Sequence, residues 1–245
     1  KGSVFEHEDR GFASGKKGME ESIKFGIVAA TAHPQVEVAK VNYSKAFYAT
    51  DPAQVVTYCE CHDNHVLWDK LRISNPKASA EELKNMHKLS LTIVLTSQGI
   101  SFLHAGTEFL RSKKGVENSF ESGDSINAID WNLKTVNKDV FDYVRGLVAM
   151  RKQHPAFRMT KAEDIAKHIR FISAKGNLIS YMIDGTGVGD SWKKILVVFN
   201  GSAETKALEL PVGKWKAHVV NNFIQEGKAA PRQIAAYSAV VLYSK

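Results

Sequence analysis

The sequence predicts an α/β part, residues 1–157, followed by an all-β part, residues 158–245. In the first part, short apolar strand-like runs alternate with helical patterns, which is typical of folds with parallel strands. In the second part the hydrophobic period changes to two, the period of half-buried strands. The chain has 245 residues, which is enough for two moderate domains.

Two apolar runs in the first part are predicted to be parallel strands. Residues 54–61 are apolar and β-branched at their start, and residues 100–105 form a second apolar run that ends at Gly106. A closed (β/α)8 barrel takes about 250 residues and eight strands, so the first part is not a whole barrel. Two parallel strands also make a poor independent sheet. We interpret the segment either as the end of a barrel or as a small α/β domain.

Three helices are predicted around these strands. The first covers residues 18–32. The second begins after Ser79, because Ser79 and Glu82 have the Ser-x-x-Glu spacing of a capping box. Asn137 is expected to cap the third helix, and Pro155 ends it, since proline cannot continue a helix.

The second part is predicted to be an antiparallel β-sandwich of roughly 85 residues. Residues 168–173 alternate polar and apolar, and the segment Lys175-Gly176-Asn177 can turn the chain back. Residues 195–199 form a buried run that ends in the turn signal Asn200-Gly201. Three later runs keep the same period, as expected for further strands.

Composition excludes several classes of protein. The net charge is +7 and the pI about 9.2, but the basic residues are scattered and form no run, so we expect no nucleic-acid partner. No apolar stretch is long enough to cross a bilayer, so no membrane partner is expected. Cys59 and Cys61 are too close in sequence for an ordinary disulfide framework. The compartment is left unassigned, because the chain begins at Lys1 and we expect the natural N-terminus upstream.

The densest group of reactive side chains, Tyr58 to His65, lies where the first strand is predicted to end. Binding and catalytic groups gather at the carboxyl ends of parallel strands. Asp63 beside His62 can hydrogen-bond sugar hydroxyls or face positive charge on a reacting ring. The alternative is that these two side chains only cap the following segment. A metal site is not expected from this motif, because adjacent residues cannot all converge on one ion.

A second polar segment follows the second strand. Glu108 is either catalytic or pairs with Arg111 or Lys113. The loop at residues 118–131 is rich in amides, carboxylates and aromatic rings, a composition that suits sugars. An ordinary polar loop is the alternative.

These segments together resemble type I pullulanases, debranching glycoside hydrolases of the α-amylase superfamily. Residues 56–70 resemble the family signature at the end of barrel strand seven, and residues 99–109 resemble strand eight. Residues 118–127 resemble the substrate loop after strand eight, and residues 1–12 the stretch after strand six. The resemblance implies the C-terminal part of a (β/α)8 barrel, with strands seven and eight and their helices, followed by the β-sandwich domain of the superfamily.

The resemblance also implies roles for individual residues. Asp63 matches the third carboxylate of the family, a transition-state stabiliser that grips sugar hydroxyls and helps to distort the ring. His62 matches the histidine that hydrogen-bonds the same sugar. Asp124 matches a substrate-contacting carboxylate in the loop after strand eight. The family often has an arginine four residues beyond this aspartate, and this chain has Ala128 there. The remaining residues assigned to substrate binding are Asn64 and Asn127.

The resemblance places the bond-breaking groups outside this chain. A retaining glycosidase needs a nucleophile and an acid/base carboxylate about 5–5.5 Å apart. In the family these come from strands four and five, which would precede Lys1. We therefore expect a parent enzyme that hydrolyses α-1,6-glucosidic branch linkages with retention, and an isolated chain that is inactive. The alternatives are an isoamylase-like debranching enzyme, a non-catalytic carbohydrate-binding module, or a small α/β enzyme that uses Asp63 and Glu108.

An α-glucan oligosaccharide or polysaccharide is the expected partner. No cofactor is expected, and the sequence gives no indication of calcium. Two strands taken from a barrel leave open edges and an exposed apolar face, so we expect the isolated chain either to be a rearranged α/β unit or to self-associate through this barrel edge.

Overall fold

The computed structural model describes all 245 residues, with helices concentrated in the first two thirds and strands in the last third. The helices are α1 (Glu20–Ile27), α2 (Leu67–Ser74), α3 (Ala80–Thr96), α4 (Asp124–Asn127), α5 (Asn132–Val136), α6 (Lys138–Gln153) and α7 (Ala162–His168). The strands are β1 (Val56–Thr57), β2 (Ile100–Ser101), β3 (Ile169–Lys175), β4 (Leu178–Asp184), β5 (Lys194–Asn200), β6 (Lys206–Ala207), β7 (Lys216–Val220), β8 (Phe223–Ala229), β9 (Gln233–Ile234) and β10 (Ser238–Ser244). None of the helices is both long and apolar enough to span a bilayer.

The two parallel strands form, but they are shorter than the sequence predicts. β1 and β2 pair in parallel over two residues each, with Val56 opposite Ile100. Helices α2 and α3 lie between them along the chain, so the order is strand–helix–strand. Each strand has only one neighbour, and no third strand extends the ladder.

Helix α3 is the central helix and begins as predicted. The backbone N–H of Glu82 donates to Oγ of Ser79 (3.2 Å), and the N–H of Ser79 donates to Oε2 of Glu82 (2.8 Å). This capping box satisfies two N–H groups that would otherwise lack partners. The helix packs against α2, α6 and β10, so it joins the two parts of the chain.

The other two helix predictions need correction at their ends. α1 stops at Ile27 rather than at residue 32, because Ala29 and Ala30 adopt the left-handed region with φ of 52° and 53°. Asn137 occupies the N-cap position of α6, but its side chain does not cap the helix. Its Nδ2 instead donates to the carbonyl of Phe109 (3.2 Å), which ties α6 to the segment after β2.

The last third of the chain forms a six-stranded antiparallel sheet in the order β3-β4-β5-β10-β7-β8. The antiparallel β part is therefore confirmed. One face of this sheet packs on the helices. The opposite face holds a smaller apolar cluster with Ile234, which comes from the two-stranded sheet of β6 and β9.

The helices and the large sheet share one hydrophobic core of 42 buried residues. Leu89 of α3, Tyr143 of α6, and Tyr181 and Val241 of the sheet all belong to this cluster. The hydroxyl of Tyr181 also donates to the carbonyl of Thr96 at the end of α3 (3.2 Å). Because the apolar contacts are continuous, the large sheet supports α3, and with it β1, which precedes α3 in the chain, and β2, which follows it.

Candidate active site

The side chains of His62 and Asp63 project into solvent just beyond β1. Their exposed fractions are 81% and 67%, and Nε2 of His62 lies 3.5 Å from Oδ2 of Asp63. Neither side chain caps the following helix. The N-cap position of α2 is occupied by Val66, whose side chain makes no capping hydrogen bond. The interpretation of His62 and Asp63 as simple caps is therefore wrong, and both are accessible to a ligand.

The carboxylate that binds the first turn of α2 is that of Glu60, a residue that the sequence analysis did not single out. Glu60 is buried, and its Oε2 accepts a hydrogen bond from the backbone N–H of Leu67, the first residue of the helix. Burial raises the pKa of Glu60, against the opposing effects of the Leu67 amide and the charge of Lys1. Glu60 is thus a structural carboxylate that orients the loop between β1 and α2.

Asn64 lies at the sharpest point of this loop. Its φ is +60°, in the left-handed region that asparagine tolerates better than most residues. Asp63 and Asn64 line a cavity of about 540 Å³ together with Thr57 of β1 and Tyr58 just after it. The turn at Asn64 therefore holds the predicted site residues at the mouth of a concave surface.

Asp69 of α2 fixes the segment that follows β2. Its Oδ1 accepts from Oγ of Ser112 (2.6 Å), and its Oδ2 accepts from the backbone N–H groups of Lys113 (2.8 Å) and Gly115 (3.0 Å). Asp69 is buried, so these three bonds are shielded from water. One carboxylate thus joins α2 to residues 112–115 of the segment that follows β2.

Lys113 links the two polar loops of the site. Its Nζ donates to the carbonyl of His62 (3.1 Å) and to Oγ of Ser119 (2.7 Å). Burial lowers the pKa of the Lys113 ammonium, and the charges of Glu60 and Asp63 oppose that change. The expected pairing of Glu108 with Arg111 or Lys113 is absent, because Oε2 of Glu108 instead accepts from the N–H of Gly106 (3.0 Å).

The two predicted site residues in the loop after β2, Asp124 and Asn127, differ in how free their side chains are to contact a ligand. Asp124, the first residue of α4, is exposed and makes no side-chain hydrogen bond or ion pair. Asn127 is half-buried, and its Nδ2 donates to the carbonyls of Ser119 and Ser122, both at 2.7 Å. Asp124 is therefore free to contact a ligand, whereas both amide hydrogens of Asn127 already hold the loop together.

The sequence and the fold both match pullulanases. Residues 165–222 match the family model of the pullulanase all-beta domain. The pullulanase of Bacillus subtilis (strain 168) is 35% identical over 211 residues, which cover 86% of this chain and 28% of that protein. The structure of pullulanase from Paenibacillus barengoltzii with maltohexaose and α-cyclodextrin is 40% identical with a TM-score of 0.87, and the match covers 99% of this chain and 36% of that one.

The type I pullulanase of Bacillus subtilis in complex with maltose gives a TM-score of 0.89 at 31% identity, over 99% of this chain and 33% of that chain. The chain thus spans about a third of the length of these relatives. Its class is that of the glycoside hydrolases of the α-amylase type. Within that class it is homologous to the C-terminal portion of pullulanases, which confirms the resemblance found in the sequence.

Proposed function

We propose that this chain is the substrate-gripping C-terminal portion of an enzyme that hydrolyses α-1,6-glucosidic branch linkages in pullulan, starch or glycogen-derived glucans with retention. Residues 1–157 are the end of its (β/α)8 barrel, with β1 and β2 as barrel strands seven and eight. Residues 158–245 are its β-sandwich domain. The observation that carries the proposal is the exposed pair of His62 and Asp63 at the carboxyl end of β1.

The pair has the chemistry needed to grip a glucose ring. The carboxylate of Asp63 accepts hydrogen bonds from two adjacent sugar hydroxyls, and the imidazole of His62 adds a third contact. A negative charge at this position also favours the oxocarbenium-like transition state of glycoside hydrolysis. Asp124 and Asn64 contribute further polar contacts to the sugar.

The neighbouring carboxylates are not available for bond breaking. Glu60 is buried and bonded to the start of α2, and Glu108 is bonded to the backbone of Gly106. Retaining hydrolysis needs a free nucleophile and a free acid. We therefore propose that the 245-residue chain binds glucan without hydrolysing it.

The expected ligand is a linear α-glucan. The similar pullulanases of Paenibacillus barengoltzii and Bacillus subtilis are described in complex with maltotetraose, maltohexaose or maltose. Maltotetraose is therefore a suitable probe, because it offers several rings to the residues proposed to bind sugar.

Titration of the chain with maltotetraose tests the binding role. We expect saturable binding that Asp63→Asn weakens by about tenfold or more, because a hydrogen bond to a charged group contributes about 1.5–3 kcal/mol. Glu163→Gln is the matched control, since Glu163 is an exposed carboxylate of α7, away from β1. Equal affinity of the Asp63→Asn and Glu163→Gln variants would remove Asp63 from the site.

We also propose that the isolated chain self-associates through the exposed face of β1 and β2. Val56, Tyr58, Ile100 and Phe102 are exposed by 50%, 53%, 51% and 41%. Val56 lies opposite Ile100 in the two strands, and the rings of Tyr58 and Phe102, which follow the strands, meet edge to face at 6.0 Å. A contiguous apolar patch of this kind is unfavourable in water and favours association with a second copy.

A further inference from the structure

Three side chains with metal-binding chemistry meet beside the proposed sugar site. His7 comes from the N-terminal segment, His65 from the loop between β1 and α2, and Glu117 from the loop after β2. One ligand atom from each lies within 4.8 Å of the other two. Nε2 of His7 is 2.9 Å from Oε2 of Glu117, and the rings of His7 and His65 meet edge to face with centroids 4.8 Å apart.

A hydrogen bond to the main chain fixes the tautomer of His65. It is buried, and its Nε2 lies 3.2 Å from the carbonyl of Gly115. A carbonyl only accepts hydrogen bonds, so Nε2 carries the proton and Nδ1 keeps a free lone pair. A backbone carbonyl that fixes the second ring nitrogen is the usual outer partner of a metal-bound histidine.

The other two segments are anchored as well. The carbonyl of His7 accepts a hydrogen bond from Nζ of Lys70 (2.7 Å), which fixes the main chain there. Asp69 fixes the main chain at Lys113 and Gly115, shortly before Glu117. The side chains of His7 and Glu117 are 52% and 35% exposed, so they can move the short distance that coordination requires.

We propose that His7, His65 and Glu117 bind one divalent transition-metal ion of the Zn²⁺ class. Two imidazoles and one carboxylate suit zinc, with bonds of about 2.0–2.2 Å and an open fourth position for water. Magnesium and calcium prefer oxygen ligands alone, so the two histidines disfavour them. The ligands come from three separate segments, so the His-Asp-Asn-His motif by itself did not indicate the site.

The ion would connect three segments of the chain at one point. His65 is two residues from Asp63, so the ion would restrain the loop that carries Asp63. The role is structural, and the site does not depend on whether the chain binds glucan.

Calorimetric titration with Zn²⁺ tests this proposal. The chain should carry Cys59→Ser and Cys61→Ser, because the two free thiols would otherwise compete for the metal. We expect one Zn²⁺ per chain at micromolar concentrations and no binding of Mg²⁺. His7→Gln and Glu117→Gln should each weaken Zn²⁺ binding by about tenfold or more, since even an outer partner of a metal ligand contributes about 10–100-fold.

Two controls keep the result interpretable. His7 and Glu117 are on the surface, so their variants should keep the circular dichroism spectrum of the parent. His168→Gln removes another histidine that pairs with a carboxylate, Asp184 at 3.3 Å, on the β part, and it should leave Zn²⁺ affinity unchanged. Absence of saturable Zn²⁺ binding would overturn the proposal. Binding that His7→Gln and Glu117→Gln leave unchanged would overturn it as well.

Discussion

Asp69→Ala is expected to lower the free energy of unfolding by about 3 kcal/mol or more. The substitution removes a buried acceptor from three donors, Oγ of Ser112 and the backbone N–H groups of Lys113 and Gly115. A buried donor left without a partner costs about 1–3 kcal/mol, and hydrogen bonds to a charged group lie at the upper end of that range. Urea unfolding of the two proteins gives the difference directly.

Asp124→Ala is the matched control for this experiment. Asp124 is an exposed aspartate at the first position of α4 and makes no bond within the chain. Surface substitutions of this kind usually change stability by less than about 0.5 kcal/mol. Similar unfolding midpoints for the Asp69→Ala and Asp124→Ala proteins would show that the bonds from Asp69 to residues 112–115 contribute little to stability.

Ile100→Lys is expected to convert a self-associated chain largely into monomer. Ile100 lies opposite Val56 in the centre of the exposed apolar face, and it is itself 51% exposed. A lysine there places a charge in any contact that buries the face, and an unpaired buried charge is strongly unfavourable. Sedimentation velocity at several concentrations measures the change.

Val136→Lys tests whether the effect belongs to this face. Val136 ends α5 and is 72% exposed, but it lies outside the sheet of β1 and β2. The Val136→Lys protein should associate like the parent. A parent that is monodisperse and binds little apolar dye would contradict the proposed association.

Local patterns predicted local structure well. The spacing of Ser79 and Glu82 was sufficient to predict the start of α3, because a capping box is formed within one turn. The period-two runs and the Lys175-Gly176-Asn177 turn predicted antiparallel strands for the same reason. The Asn200-Gly201 signal marks the end of β5, but β5 forms no hairpin with the next strand, β6. The strand order was not predictable in this way, because β10 pairs between β5 and β7 through contacts distant in sequence.

The same limit applies to the candidate site. His62 and Asp63 stand out in the sequence, because they adjoin an apolar run and a recognisable family motif. The role of Asn127 does not stand out in the sequence. Its side-chain amide donates hydrogen bonds to the backbone carbonyls of Ser119 and Ser122, and only the folded loop brings these groups near. Glu60 was missed because its partner, the N–H of Leu67, is defined by where α2 begins.

The group of His7, His65 and Glu117 shows the limit most clearly. No two of these residues are near one another in sequence, and their ligand atoms come within 4.8 Å only in the folded chain. A pattern search therefore finds His65 as part of a motif and leaves its two neighbours unnoticed.

We propose that this chain holds the groups that grip the sugar and lacks those that break the bond. The most direct test is to incubate the purified 245-residue chain with pullulan and to measure released reducing ends, with the Asp63→Asn variant alongside. We expect no release above that of the variant. Release by the parent chain that Asp63→Asn abolishes would mean that catalytic carboxylates lie within this chain.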